Sequence, residues 1–258
     1  MQFRNRRRYY CGTLAILMDI TKYINIFTEI TGFYGRYFVI AGVFYFIFYN
    51  YKKNKFKDKK LQAEFPANSH IAREILFSVI TLAIYCAISY LVLIAFSSGL
   101  TSIYLHISDF GWTYFSCSIL IMIILHDTYF YWTHRLLHLP WMYKQVHHLH
   151  HKSFNPTPWA AFAFHPIEAF ISALYLPFFI LFIPLHPFAI IIFLFYMTLI
   201  NVMGHSGFEW FSEKFRKSKS GQMQNTSTAH NIHHAIGQYN YGLYFKFWDK
   251  LMRTDKEK

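Results

Sequence analysis

Residues 75–96 form an unbroken run of 22 residues with no charged side chain. As an α-helix rising about 1.5 Å per residue, such a run covers a hydrocarbon core of roughly 30 Å. In lipid every backbone polar group must be paired within its own segment, so a helix is the form this run takes. Further apolar stretches lie at 33–51, 110–125 and 167–202.

The chain is 54% hydrophobic, 21% aromatic and only 15% charged, the composition of a membrane protein. Its net charge of +12 falls in short clusters, which reports membrane orientation and not a nucleic-acid partner. Cys11, Cys86 and Cys117 are too dispersed for a disulfide framework or a paired-cysteine metal motif. Residues 52–60 are lysine-rich and are expected in the cytoplasm, whereas 97–109 contain no Lys or Arg and are expected on the far side. The stretch 110–125 then spans back. The long run 167–202 is interrupted by Pro177, Pro184 and Pro187, and reads as a hairpin turning at Pro184 to Pro187, with or without complete crossing. Either way both its ends return to one side.

The expected fold is therefore an all-α integral membrane protein with about four transmembrane helices in two hairpins and a cytoplasmic, histidine-rich helical metal domain. The expected division is a membrane region at 1–109 and a catalytic domain at 110–254 that includes the hairpin 167–203. Near the start, Arg4, Arg6, Arg7 and Arg8 precede a short apolar run broken by Asp19 and Lys22, without the clean core of a signal peptide, and Met18 is a candidate start. The aromatic segment 239–248 reads either as an interfacial strip or as packing under the metal domain, and the two are compatible.

Histidine spacing points to the chemistry. His134 and His138 are four residues apart, so they share a helical face. His147, His150 and His151 have i, i+3, i+4 spacing, and His230, His233 and His234 repeat it. Any one of these is most simply a solvated polar residue, but three same-face clusters in one chain are not. Eight convergent imidazoles exceed the needs of one tetrahedral zinc, which favours two ions sharing the set. His205, in Gly204-His205-Ser206-Gly207, is a ninth candidate ligand. His148 points away from the shared face and is a candidate for a neighbouring hydrogen bond or a substrate group. His165, before Pro166, is read as a supporting group. Asp127 lies on the same helical face as His134, either fixing the tautomer of a ligand histidine or standing as a charge at the membrane surface. His70, His106, His126 and His186 are isolated and read as ordinary polar residues. Imidazole suits Zn, Cu, Fe and Ni, so spacing alone does not name the metal.

With these residues in place, 110–254 resembles the fatty acid hydroxylase/sterol desaturase superfamily. The order of boxes matches: His134 with His138, His147 to His151, Gly204 to Gly207, and His230 to His234. Asn155-Pro156-Thr157-Pro158, Phe164-His165-Pro166, Pro184-Leu185-His186, Tyr239-Asn240-Tyr241-Gly242 and Trp248-Asp249 look like its C-5 sterol desaturase branch. One departure is Arg253, where the family often has Gly.

The resemblance implies a non-haem di-iron centre (two iron ions), O2 as co-substrate, and two electrons from a separate carrier such as cytochrome b5 or a ferredoxin with its reductase. The implied function is desaturation or hydroxylation of a C–H bond in a membrane lipid, with a sterol-like lipid favoured. The same histidine scaffold also serves fatty acid and carotenoid hydroxylases, because fold does not fix function. A membrane metal-binding or metal-transport protein is the reading from another class, and a structural zinc protein is a third. The location implied is the endoplasmic reticulum in a eukaryote or the cytoplasmic membrane in a bacterium.

Overall fold

The computed structural model describes Thr28, 30–52 and 55–256. The arginine cluster and the candidate start at Met18 lie outside these residues. The described residues are helical throughout their ordered elements and contain no strand, only three isolated bridges.

Four helices are long and apolar enough to cross a membrane: α1 (Ile30–Tyr51), α2 (Asn68–Ser97), α3 (Gly111–Leu137) and a later one, Pro187–His205. This is a multi-pass membrane protein. Helix α2 begins upstream of the uncharged run, and α3 continues well past Leu125. No breaker intervenes until Leu139, held extended at ψ 141° before Pro140. His134 therefore rides on the spanning helix itself. A second helical run, α4 (140–151), follows at once and includes a π-helical turn at Tyr143–His147. Such turns re-aim the side chains that follow them and are frequent at functional sites.

The hairpin 167–202 consists of α5 (Pro166–Phe182), interrupted at Leu174, and α6 (Pro187–His205). Both helices open with the same dipeptide, His-Pro. The proline takes the first helical position, where its missing N–H costs nothing. His165 Nδ1 accepts from Ile167 N at 3.3 Å and His186 Nδ1 from Phe188 N at 3.2 Å. His165 thus serves as the N-cap of α5, not as a hydrogen-bond partner of a ligand imidazole.

The hairpin turns as deep as the preceding one. Ser102 N donates to Ile180 O at 2.7 Å, Tyr104 N to Leu185 O at 3.2 Å, and Tyr114 Oη to Pro184 O at 3.0 Å. The lysine-free loop and the hairpin tip therefore share one end of the bundle. At the other end Glu209 N donates to Lys59 O at 2.8 Å and Leu61 N to Gly207 O at 3.0 Å. The lysine-rich loop, the histidine boxes and the segment after His205 meet there. That segment contains α7 (Glu213–Lys217), α8 (Ser227–Ile236) and α9 (Phe247–Leu251).

The core is built around the Asn155–Pro158 turn and the 3-10 turn Pro158–Phe162, where Ala160 and Ala161 are buried. Tyr37 Oη and Ser78 Oγ both donate to Trp159 O, at 2.7 and 2.9 Å. Thr157 Oγ1 donates to Glu74 Oε2 at 2.5 Å, and Asn201 Nδ2 to Ala161 O at 2.7 Å. Helices α1, α2 and α6 thereby grip a turn-and-3-10 segment whose buried carbonyls have no α-helical partners. Gly207, in the Gly-His-Ser-Gly motif, has φ 74°, and a Cβ there would sit 2.8 Å from Tyr49 Oη and 3.0 Å from Pro156 O, so a larger residue would be strained and would push on its neighbours.

Candidate metal centre

All nine predicted ligands are brought together, in two adjacent groups. His134, His138, His147, His151 and His233 form one; His150, His205, His230 and His234 form the other. Within each group the ligand atoms lie within 4.8 Å of one another. Both three-histidine boxes are split. Their i and i+4 members stay together, while the i+3 member goes to the other group: His150 parts from His147 and His151, and His233 from His230 and His234. The i+3 position is displaced around the helix to the opposite side of residue i from i+4. One short helix thereby serves two positions.

The hydrogen bonds define the chemistry of the rings. His134 Nδ1–H donates to Tyr241 O (2.9 Å), His233 to Tyr239 O (2.7 Å) and His205 to Asn201 O (2.8 Å). His150 and His151 use the carbonyls of Ala163 and His234, each at 3.4 Å. His147 alone uses a carboxylate, Glu168 Oε1 at 2.8 Å. A carbonyl or carboxylate oxygen only accepts, so each of these neutral rings carries its proton on Nδ1 and a bare lone pair on Nε2. Yet His134 Nε2 and His147 Nε2 are 3.1 Å apart, and His205 and His150 Nε2 are 3.3 Å apart. Two lone pairs at that distance need a cation between them. Nitrogens sharing a metal at bond lengths of about 2.1 Å lie about 3.0–3.4 Å apart at right-angle to tetrahedral geometry. The remaining Nε2 pairs, between 2.8 and 3.2 Å, are close to that interval. The donor set fits two metal ions.

Burial holds the rings outside the spans neutral. It lowers the pKa of His151 to about 3 and those of His138, His147, His150, His230, His233 and His234 well below the usual imidazole value, with neighbouring histidines adding to the effect. A neutral imidazole is the form that ligates.

The other predicted residues are placed elsewhere. His148 is exposed, its ring against Tyr143 at 5.7 Å. Asp127 is neither a partner of a ligand nor a surface charge. It is buried and accepts from Tyr244 N at 2.7 Å and Phe245 N at 3.3 Å. It thus clamps the loop whose Tyr241 and Tyr239 carbonyls orient His134 and His233. Segment 239–248 accordingly packs under the metal domain, with Tyr241, Leu243 and Tyr244 buried. His126, read as isolated, is also buried, bonded to Tyr244 Oη at 2.9 Å. Glu168 was missed. It is the sole acid within 167–202, and an acid in a membrane run is functional by default.

A cleft adjoins the centre. Phe130, Leu137 and Phe164 give it apolar walls, and it borders His134 and His147 of one group and His150, His205 and His230 of the other. Outside, Trp132, Leu136, Leu139 and Trp141 expose apolar side chains beside the boxes, as an interfacial belt does.

Residues 119–254, more than half the chain, match the fatty acid hydroxylase family. Lathosterol oxidase of Rattus norvegicus is 31% identical over 225 residues, covering 85% of this chain and 70% of that protein. Lathosterol oxidase of Homo sapiens is 30% identical over 226 residues, with the same coverage. The Delta(7)-sterol 5(6)-desaturase of Schizosaccharomyces pombe is 32% identical over 153 residues, 59% of this chain and 48% of that protein. No solved structure matches. Histidine boxes, membrane helices and these relatives agree: the chain belongs to the fatty acid hydroxylase/sterol desaturase superfamily, in its C-5 sterol desaturase branch.

Proposed function

We propose that this protein is a di-iron oxidoreductase that uses O2 to desaturate a sterol-like membrane lipid, with 5(6) desaturation of a Delta(7)-sterol as the favoured reaction. The observation that carries this reading is a cleft that borders imidazoles of both groups and is walled in part by Phe130, Leu137 and Phe164. A C–H bond held there lies beside both metal positions. The activities that name the relatives supply the substrate class.

Two irons held by the nine imidazoles would supply O2 activation and removal of hydrogen from an unactivated carbon. One O2, two electrons, two protons and two lipid hydrogens leave as two waters and an alkene. The protein's own part is positioning. The Nδ1 hydrogen bonds lock ring orientation, and Phe130, Leu137 and Phe164 offer the lipid an apolar wall beside the imidazoles. The exposed apolar belt supports a centre at the membrane interface, which a lipid can enter sideways. The lysine-rich loop at the same end supports a cytoplasmic site, and the electrons come from a separate carrier such as cytochrome b5 or a ferredoxin. A transport role needs ligands near mid-bundle; here all nine stand at one end.

The test is purified, iron-loaded protein in lipid, given reductant, an electron carrier, 18O2 and sterol, acyl or carotenoid substrates. A new sterol double bond without label is expected. Label retained in product points to hydroxylation, and no turnover of any lipid by the iron-loaded, reduced protein overturns the oxidase reading.

A further inference from the structure

Of the six imidazoles whose Nδ1 partner is given above, five face neutral backbone carbonyls and one faces a carboxylate. Glu168 occupies the third helical position of α5, behind Pro166 and Ile167, and lies against the backbone N–H of His165. It is almost fully buried, and its Oε1 accepts a hydrogen bond from His147 Nδ1–H at 2.8 Å. Its Oε2 is buried without a partner in the protein. His147 belongs to the five-histidine group. In the four-histidine group His150 and His205 use carbonyls, and His234 Nδ1 is buried without a partner.

We propose that Glu168 makes the two metal positions unequal: it acts as a positioning residue that strengthens His147 as a ligand, so the five-histidine position holds its ion more tightly than the four-histidine position. Two physical terms act in the same direction. A carboxylate on the far nitrogen raises the basicity of the ligating one and fixes its tautomer, and its charge in a buried site offsets part of the ion's charge. The ligand count adds to both, five imidazoles against four. The four-histidine position is left with a neutral donor set and more open coordination, the arrangement of a site that accepts an outside molecule. The inference rests on reading the two groups as a metal centre.

Glu168→Gln tests it, because Gln keeps the size and an acceptor oxygen for His147 but removes the charge; Glu168→Asp, which keeps the charge, guards against a variant that fails to fold. Wild type, both variants, His147→Ala and His230→Ala are loaded with 57Fe(II). Bound iron is followed by Mössbauer spectroscopy and metal analysis against increasing chelator. Wild type should release its two irons in two steps. In Glu168→Gln the tighter step should move to roughly 10–100-fold lower chelator, and the component lost should be the one missing in His147→Ala and not the one missing in His230→Ala. Glu168→Asp should recover part of the shift. Release in one step by wild type, or unchanged steps and spectra in Glu168→Gln, overturns the inequality. Wild type that takes up no iron removes the metal centre itself, and this proposal with it.

Discussion

Asp127 links the membrane helix α3 to the loop that orients the ligands, and its removal has a calculable cost. Its carboxylate accepts from Tyr244 N at 2.7 Å in buried surroundings and from Phe245 N at 3.3 Å in partly buried ones. In Asp127→Ala two backbone donors lose their acceptor. Each buried orphan costs about 1–3 kcal/mol, the longer bond at the lower end, for a total of about 2–5 kcal/mol. For a chain of this size each kcal/mol lowers the melting midpoint by about 2–4 °C, so a drop of roughly 4–20 °C is expected in detergent. Asp127→Asn keeps one acceptor oxygen and should cost about 1–2 kcal/mol. The loop also carries the carbonyls of Tyr239 and Tyr241 that fix His233 and His134, so Asp127→Ala should retain iron roughly 10–100-fold less tightly. Thermal melts paired with metal analysis measure both effects. An Ala variant that melts with wild type and keeps its metal would refute the clamp.

Acidification gives a second prediction. Burial lowers the pKa of His151 to about 3 and of His138, His147, His150, His230, His233 and His234 in the same direction. The folded metal-free state then binds fewer protons than the unfolded one below about pH 6.5, so stability rises with pH there and is lost on acidification. The metal-free protein should melt lower at pH 5 than at pH 7.5, and equal midpoints would contradict a buried neutral cluster. Arg253 adopts φ 58°, a left-handed conformation costing a side-chain-bearing residue roughly 1 kcal/mol, so Arg253→Gly should raise the melting midpoint by about 2–4 °C; a lowered midpoint would show that the arginine side chain outweighs the strain. Cysteines placed at Lys152 and Ser218 should label from the cytoplasmic side and one at Ser98 from the other. Opposite labelling of the first two would break the hairpin reading and the composite centre with it.

What was legible in the sequence is what local spacing and hydropathy encode. The uncharged run 75–96, the lysine-free loop after it and the proline-marked hairpin tip are properties of contiguous residues in lipid, where backbone satisfaction leaves only helices. They set the bundle and the end at which its boxes meet. The i, i+3, i+4 patterns likewise reported which imidazoles share a helix face, and all nine candidates converge. Arg253 also carried a signal, since a position favouring Gly is a position of positive φ.

Tertiary structure decided how those imidazoles are divided and what fixes them. Periodicity describes one helix, whereas each metal position draws on several: His134 on α3, His147 and His151 on α4, and His233 on α8. The acceptors of their Nδ1 protons are mostly backbone carbonyls, which every residue type carries, so no side-chain pattern can reveal them. Asp127 was placed correctly on the face of His134, but helical phase could not say that a loop more than a hundred residues later would meet it. His165 was drawn toward the centre by its neighbours in sequence, yet a histidine before a helix-opening proline is best used as a cap. Glu168 shows the same limit in reverse. Its contact with His147 spans 21 residues of chain and a buried turn, and only the packing of α5 against α4 makes an acid in an apolar run the partner of a ligand.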